Sequence, residues 1–127
     1  MMRWLSLADC KAIYIQEVAQ GPLLRQDMLE SALAAPLASF SGQDFYPTLV
    51  DKVARLAYGI AESQAYQDGN KRLAWHCAVV VLANNGIDLR VDQDEAAHII
   101  RAVGDSSRPE GLKELTAWLA ACVFAAE

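Results

Sequence analysis

The sequence predicts an all-α protein, a single compact bundle of about six helices. Three observations carry that expectation. Glycine (7 residues) and proline (4 residues) are sparse in 127 residues, while alanine, a strong helix former, is abundant. Apolar residues recur at helical rather than alternating spacing through most of the chain. The stretches between them carry helix stop and start signals instead of hairpin turns. At 54% hydrophobic residues the chain fills one core, and disorder is excluded.

The elements follow in order. Ser6 opens S-L-A-D, a capping-box-like start with Asp9 in the acceptor place. Leu7, Ile13, Tyr14 and Val18 then keep helical spacing, and Gly21-Pro22 stops the helix. A second helix covers about Gln26 to Ala35, with Met28, Leu29, Ala32 and Leu33 on one face and Pro36 as its end. Residues 36–47, P-L-A-S-F-S-G-Q-D-F-Y-P, show neither period and read as a loop or short flap. Its aromatics are expected to tuck back onto the core, with contact to a partner as the alternative.

A third helix runs from about Thr48 to Ser63, with Val50, Val53, Ala54, Ala57, Ile60 and Ala61 as its stripe. A fourth runs from about Asn70 to Asn84. It is apolar nearly all round, as a central helix packed on every side should be. Asn84-Asn85-Gly86 closes it with a left-handed cap, and residues 87–91 alternate briefly as a short extended segment. A fifth helix spans about Asp92 to Val103, with Ala96, Ala97, Ile99, Ile100 and Val103 inward and Gly104 at its end. The last starts near Ser107-Arg108-Pro109-Glu110, at capping-box spacing, and carries Leu112, Leu115, Trp118, Leu119 and Cys122.

Charge and cysteine usage narrow the function classes. A formal net charge of −5 argues against coating nucleic acid, which needs clustered cations. Cys10, Cys77 and Cys122 are odd in number and form no C-x-x-C, so they read as small buried hydrophobes in a reducing cytosol. The longest apolar run, Leu73 to Ala83, contains His76 and falls far short of the ~20 residues of a membrane span. A soluble cytoplasmic protein is the expectation.

The chemistry concentrates in Q-A-Y-Q-D-G-N-K-R, Gln64 to Arg72, between the third and fourth helices. The first N–H groups of a helix lack intrahelical partners, and the macrodipole places partial positive charge there, so phosphate is favoured. Gly69 permits a tight turn and close approach of a ligand. Lys71 and Arg72 put two cations at the positive end of a helix, against ordinary design unless an anion compensates. Asp68 is that anion as an N-cap, or it holds a Mg²⁺ that bridges phosphate oxygens. The alternative is plain turn chemistry, an N-cap Asp followed by two solvated cations.

The run resembles the Fic/Doc signature H-x-F-x-[D/E]-G-N-K/G-R, and with Lys71 it looks like the Doc (death on curing) branch, the toxins of Phd–Doc-type toxin–antitoxin modules. Residues 24–36, 53–63 and 79–89 also resemble Doc segments, so the likeness covers most of the chain. It implies an all-helical Fic fold with the motif loop between two core helices. It implies ATP or another nucleoside triphosphate with Mg²⁺ at the start of the second of those helices. It implies transfer of AMP or phosphate to a protein hydroxyl, with elongation factor Tu as the Doc-type target, and a Phd-like antitoxin as partner. Carried over by position, Asp68 binds Mg²⁺, Gly69, Asn70 and Lys71 hold phosphate, and Arg72 steadies the phosphates. Residues 36–47 become the flap that aligns the target.

One position departs from the signature. The family's catalytic His falls on Gln64, and its Phe on Tyr66. An imidazole titrates near neutral pH and accepts the hydroxyl proton; an amide does not. Losing a general base typically lowers a rate ~10²–10⁴-fold. Impaired transfer with nucleotide binding retained is therefore expected, and a catalytically inactive nucleotide- or antitoxin-binding module is the alternative. His76, one turn beyond Arg72, is expected to be a polar member of a buried helix bonded to a carbonyl, and His98 to lie at the surface. S-S-R-P-E-G, residues 106–111, fits an inhibitory pattern known in Fic proteins, but Pro109 interrupts it.

Overall fold

The computed structural model describes residues 2–103 and 111–125. Six α-helices appear among them: α1 (Leu7–Ile13), α2 (Gln26–Ala34), α3 (Leu49–Glu62), α4 (Asn70–Asn84), α5 (Gln93–Val103) and α6 (Gly111–Cys122). The chain is mostly helical, as its composition requires. The expected cap at Ser107–Glu110, the stop at Gly104, the interrupted inhibitory pattern, and the side chains of Ile100 and Val103 lie outside the described residues.

Helix starts follow local chemistry. Ser6 and Asp9 form the full capping box, with Ser6 N–H donating to Asp9 Oδ2 at 2.9 Å and Asp9 N–H to Ser6 Oγ at 3.1 Å. Those bonds hold the Asp9 carboxyl below its ordinary pKa. Thr48 and Asp51 form a second box at α3, which the sequence reading did not anticipate. At the other end of α4, Gly86 takes the left-handed conformation (φ +77°) expected of the cap. There Asn85 Nδ2 donates to the Arg3 and Val81 carbonyls, tying the N-terminal segment to α4.

Helix α3 is the hub. It packs most extensively on α4 and also contacts α2, α5 and α6. Val53, Ala54, Leu56, Ala57 and Ile60 have no exposed surface and interlock with Leu73, Ala74, Cys77 and Val81 of α4. Small residues on both helices let the axes approach, which places the α3–α4 connection, the polar motif, at one end of the packed pair. Cys10 and Cys77 meet with Sγ atoms 3.9 Å apart in the α1–α4 contact, the buried role expected of them. The Sγ–Sγ hydrogen bond, then burial, push the Cys77 thiol far above its usual pKa.

Several expectations are corrected. The first helix does not run on as α-helix to Val18; Tyr14–Val18 widens into a π turn, which swings Tyr14 inward and Val18 toward the motif. The second α-helix ends at Ala34, and Pro36 sits buried in a 3₁₀ turn, Ala35–Leu37, rather than outside a helix. Within residues 36–47, β1 (Ser39–Phe40) and β2 (Gln43–Asp44) pair as a small hairpin. Phe40 and Phe45 do not tuck onto the core: they are 74% and 63% exposed, because a two-residue ladder is too short to fold back over the domain. Ala97 of α5 is exposed, not inward. The short extended segment is β3 (Ile87–Leu89), and it pairs with β4 (Val123–Ala125) after α6. Helix α4 is less enclosed than its apolar sequence implied, since Trp75, His76, Val79 and Val80 are only half-buried.

The hairpin is tethered by one buried cation. Lys52 on α3 donates from Nζ to Asp44 Oδ2 at 3.1 Å and to the Tyr46 carbonyl. Lys52→Met keeps the buried stem but removes the charge. It is expected to lower stability by about 1–2 kcal/mol and to speed amide hydrogen exchange across residues 39–46, leaving exchange in α3 and α4 slow.

Candidate functional site

The motif begins where α3 ends. Ser63 adopts an extended backbone, and its Oγ donates to the Ile60 carbonyl at 2.8 Å, closing the helix. The chain then runs past the segment 22–25. Leu24 and Arg25 donate their N–H groups to the Ala65 carbonyl at 2.7 and 2.9 Å, and Leu23 bridges Tyr66. Ala65 is fully buried, so Gln64 on one side and Gln67 on the other are left facing outward.

Tyr66 anchors the loop. It is buried and lies parallel to Tyr14, ring centroids 3.5 Å apart and planes within 7°. Burial pushes its phenol above the ordinary pKa, which keeps it neutral. Tyr14 also donates from its hydroxyl to the Asp68 carbonyl at 2.8 Å. Asn70 completes the clamp: Tyr66 N–H donates to Asn70 Oδ1 at 3.0 Å, and Asn70 Nδ2 donates back to the Tyr66 carbonyl at 2.9 Å. The Asn70 amide is thus committed to the loop's own backbone, leaving its main-chain N–H as the group it can offer a ligand.

Gly69 is the N-cap of α4, at φ +87°, and no side chain caps this end of the helix. Asp68 is therefore not the N-cap. Its Oδ1 turns back to accept the Gly69 N–H at 2.8 Å, while Oδ2 stands 3.9 Å from Arg72 Nη2. A Cβ at position 69 would come 2.6 Å from Val18 Cγ1 and 3.4 Å from Tyr14 Cε1, so both the backbone angle and the π turn behind it demand glycine.

These residues share one cleft of about 470 Å³. Gln64, Asp68, Gly69, Asn70, Lys71 and Arg72 all line it, with Glu62, Ser63, Gln67 and Arg101. Arg101 was not anticipated; it arrives from α5, and only the packing of α5 on α4 brings it to Lys71 and Arg72. Three cations and the uncapped N-terminus of a 15-residue helix thus face one opening, an arrangement whose electrostatics favour an anion. His98 is exposed on α5. His76 is half-buried and lines a neighbouring groove instead of sitting sealed in the core.

The Asp68 carboxylate suits a hard cation. Its side chain is 88% exposed, and Oδ2 has no partner closer than Arg72 at 3.9 Å. Among the described residues no cluster of three or more His, Cys, Asp or Glu side chains is placed to hold a metal unaided. Mg²⁺ ordinarily needs only one or two carboxylates together with substrate phosphates, so the donor set fits that ion when phosphate is present.

A helical domain with a polar glycine turn pinned at the start of its central helix, between two long packed helices, has the architecture of a Fic fold. The Fic/DOC family model matches residues 4–82, and the chain belongs to that family. Toxin Doc of Mycolicibacterium smegmatis (strain ATCC 700084 / mc(2)155) is 45% identical over 67 residues, which is 53% of this chain and 52% of that protein. The match therefore spans about half the length of that relative. No solved structure matches.

Gly69→Ala forces a side chain into a left-handed position and against Val18. It is expected to lower stability by about 2 kcal/mol or more, seen as a thermal midpoint reduced by roughly 6–10 °C. An unchanged midpoint would show that the loop is not held as described.

Proposed function

We propose that this chain is a Doc-like toxin of a toxin–antitoxin module whose site retains nucleoside triphosphate binding but is chemically disarmed at Gln64. The observation that carries this reading is the placement of Gln64 at the rim of the same cleft as Asp68, Lys71 and Arg72, in a chain of the Fic/DOC family. The similarity to Toxin Doc supports the toxin context. ATP is the nucleotide, elongation factor Tu the protein target, and a Phd-like antitoxin the partner in this reading. Cytoplasmic residence belongs to it as well; no helix among the described residues is long and apolar enough to cross a membrane.

In this reading each residue has a limited task. The Asn70, Lys71 and Arg72 main-chain N–H groups donate to the phosphate oxygens, and Lys71, Arg72 and Arg101 supply full charges. Asp68 would hold Mg²⁺, and the ion would supply charge to offset that of the phosphates. Glu62 adds a second carboxylate to the cleft wall. The hairpin at residues 39–44 presents exposed main chain and Phe40 to the target segment. Gln64 can donate or accept a hydrogen bond and so orient a hydroxyl, but it removes no proton at neutral pH. Positioning and charge stabilisation remain, which is why binding survives the loss of transfer.

Replacing Gln64 with His tests this. The Gln64→His protein is expected to transfer label from γ- or α-labelled ATP to purified elongation factor Tu at least ~10²-fold faster than the unmodified chain, and to become toxic on expression. The position of the transferred label separates phosphate from AMP transfer. Absence of both labelling and toxicity in Gln64→His would contradict the toxin reading. Rapid labelling by the unmodified chain, abolished by Lys71→Ala, would contradict the claim that it is disarmed.

A further inference from the structure

A glycine in the middle of a packed helix ordinarily weakens it. Gly59 sits at such a position in α3, and a Cβ on it would come 2.9 Å from Arg55 Nη1 and 3.2 Å from Ala32 Cβ. The missing side chain therefore leaves a notch in which the Arg55 guanidinium lies, close against α2. That notch belongs to a cavity of about 380 Å³ between α2 and α3, beside the motif cleft. Ala32 and Ala35, both small, keep it open from the other side. Glu62 and Ser63 line this cavity and the motif cleft alike, so a short stretch of chain divides the two.

Arg55 is held there with a donor to spare. Its Nη1 is the one buried side-chain nitrogen or oxygen among the described residues that lacks a hydrogen-bond partner. Its guanidinium carbon stands 5.7 Å from the centroid of the Tyr58 ring, which steadies the side chain without supplying an acceptor oxygen. The carboxylates of the cavity do not answer it. Asp27 takes Arg25 through two bonds, at 3.0 and 2.8 Å. Glu62 accepts from the Tyr58 hydroxyl, which raises the pKa of that phenol. Arg55 forms no ion pair among the described residues. A buried donor without an acceptor is costly, and a guanidinium fork matches a carboxylate with paired, parallel bonds.

We propose that the α2–α3 cavity binds a small zwitterion, its carboxylate on the Arg55 guanidinium and its ammonium towards Glu62. A bare anion, phosphate above all, would bring further negative charge close to Glu62, which lies only about 4.5 Å beyond Gly59 along the helix axis. An ammonium on the same ligand removes that repulsion and gives Glu62 a cation. Asp27 is already offset by Arg25, so a ligand of zero net charge leaves the cavity balanced. Ser31, exposed on α2 and lining the same cavity, adds a hydroxyl that donates or accepts. The site depends neither on phosphate at the start of α4 nor on the residue at position 64.

Amide chemical shifts of the isotope-labelled protein, followed as glycylglycine is added, test this. Saturable shifts are expected at Ser31, Ala32, Gly59 and Glu62. Binding is expected to be at least ~5-fold tighter than that of N-acetylglycylglycine, which lacks the ammonium, or of glycylglycinamide, which lacks the carboxylate. Arg55→Met keeps an unbranched stem and removes every donor; it is expected to weaken glycylglycine binding at least ~10-fold. Ser31→Leu, a change at an exposed position, is expected to weaken it as well by filling the cavity. Absence of shifts with glycylglycine would show that Arg55 Nη1 meets ordered water only, and would overturn the proposal. Equal binding of either blocked peptide overturns it too, as does full binding by either correctly folded variant. Shifts confined to Gly69, Asn70, Lys71 and Arg72 would put the carboxylate at the motif and overturn it equally. None of these outcomes touches the response to tripolyphosphate, so failure here leaves the phosphate reading standing.

Discussion

The paired hydrogen bonds between the Asn70 side chain and the Tyr66 backbone hold the motif in its shape. They close the loop across the gap between two helices, and they do so from the first residue of α4. The Tyr14–Tyr66 stack and the bond from Tyr14 to the Asp68 carbonyl add a second wall. With the turn fixed from both sides, Gly69 can hold a left-handed angle and α4 can begin without a side-chain cap. An uncapped helix start is ordinarily a liability, since its N–H groups lack partners. Here the same deficit leaves donors free for a ligand. The electrostatic cost of Lys71 and Arg72 at the positive end of the helix is offset only in part by Asp68, 3.9 Å from Arg72.

Binding and chemistry are separable in this arrangement because they rest on different atoms. In the proposed reading the anion-binding groups are main-chain donors and cations whose positions depend on the clamp and on the α3–α4 packing. The proposed reading puts the proton acceptor on a single side chain just past α3, a position that Gln64 occupies here. Exchanging it alters neither the buried Ala65 that follows nor the bonds from Leu24 and Arg25 that fix Ala65. On that reading, a Fic/DOC scaffold can exchange the residue at position 64 without losing its fold.

Local signals were legible in the sequence wherever one residue decides the outcome. Ser6 with Asp9, Gly86 after α4, and the stop at Asp68–Gly69–Asn70 each act through the chain's own nearest backbone, and the structure places all of them as expected apart from the cap of α4. Asp68 is a candidate for that cap, beside its alternative role as a Mg²⁺ ligand, because Asp is a good N-cap; Gly69 takes the position since only glycine fits beside Val18. What the sequence hid depends on distant partners. Strand β3 shows in the brief alternation of residues 87–91, but β4 is three residues long with no period of its own, so their pairing across α5 and α6 has no local sign. Arg101 reads as an ordinary solvated residue until α5 packs on α4. The Asn70 amide looks available for phosphate until the loop closes on it. Phe40 and Phe45 are expected inward by side-chain type and stand exposed, for their exposure depends on hairpin length.

The account turns on whether the main-chain N–H groups at the start of α4 receive phosphate. Backbone amide chemical shifts of the isotope-labelled protein, followed as Mg²⁺–tripolyphosphate is added, address that directly. The structure predicts saturable shifts at Gly69, Asn70, Lys71 and Arg72, with the amides of α2 and of the hairpin at residues 39–44 unmoved. Shifts absent from those four residues, or confined to another part of the surface, would contradict it.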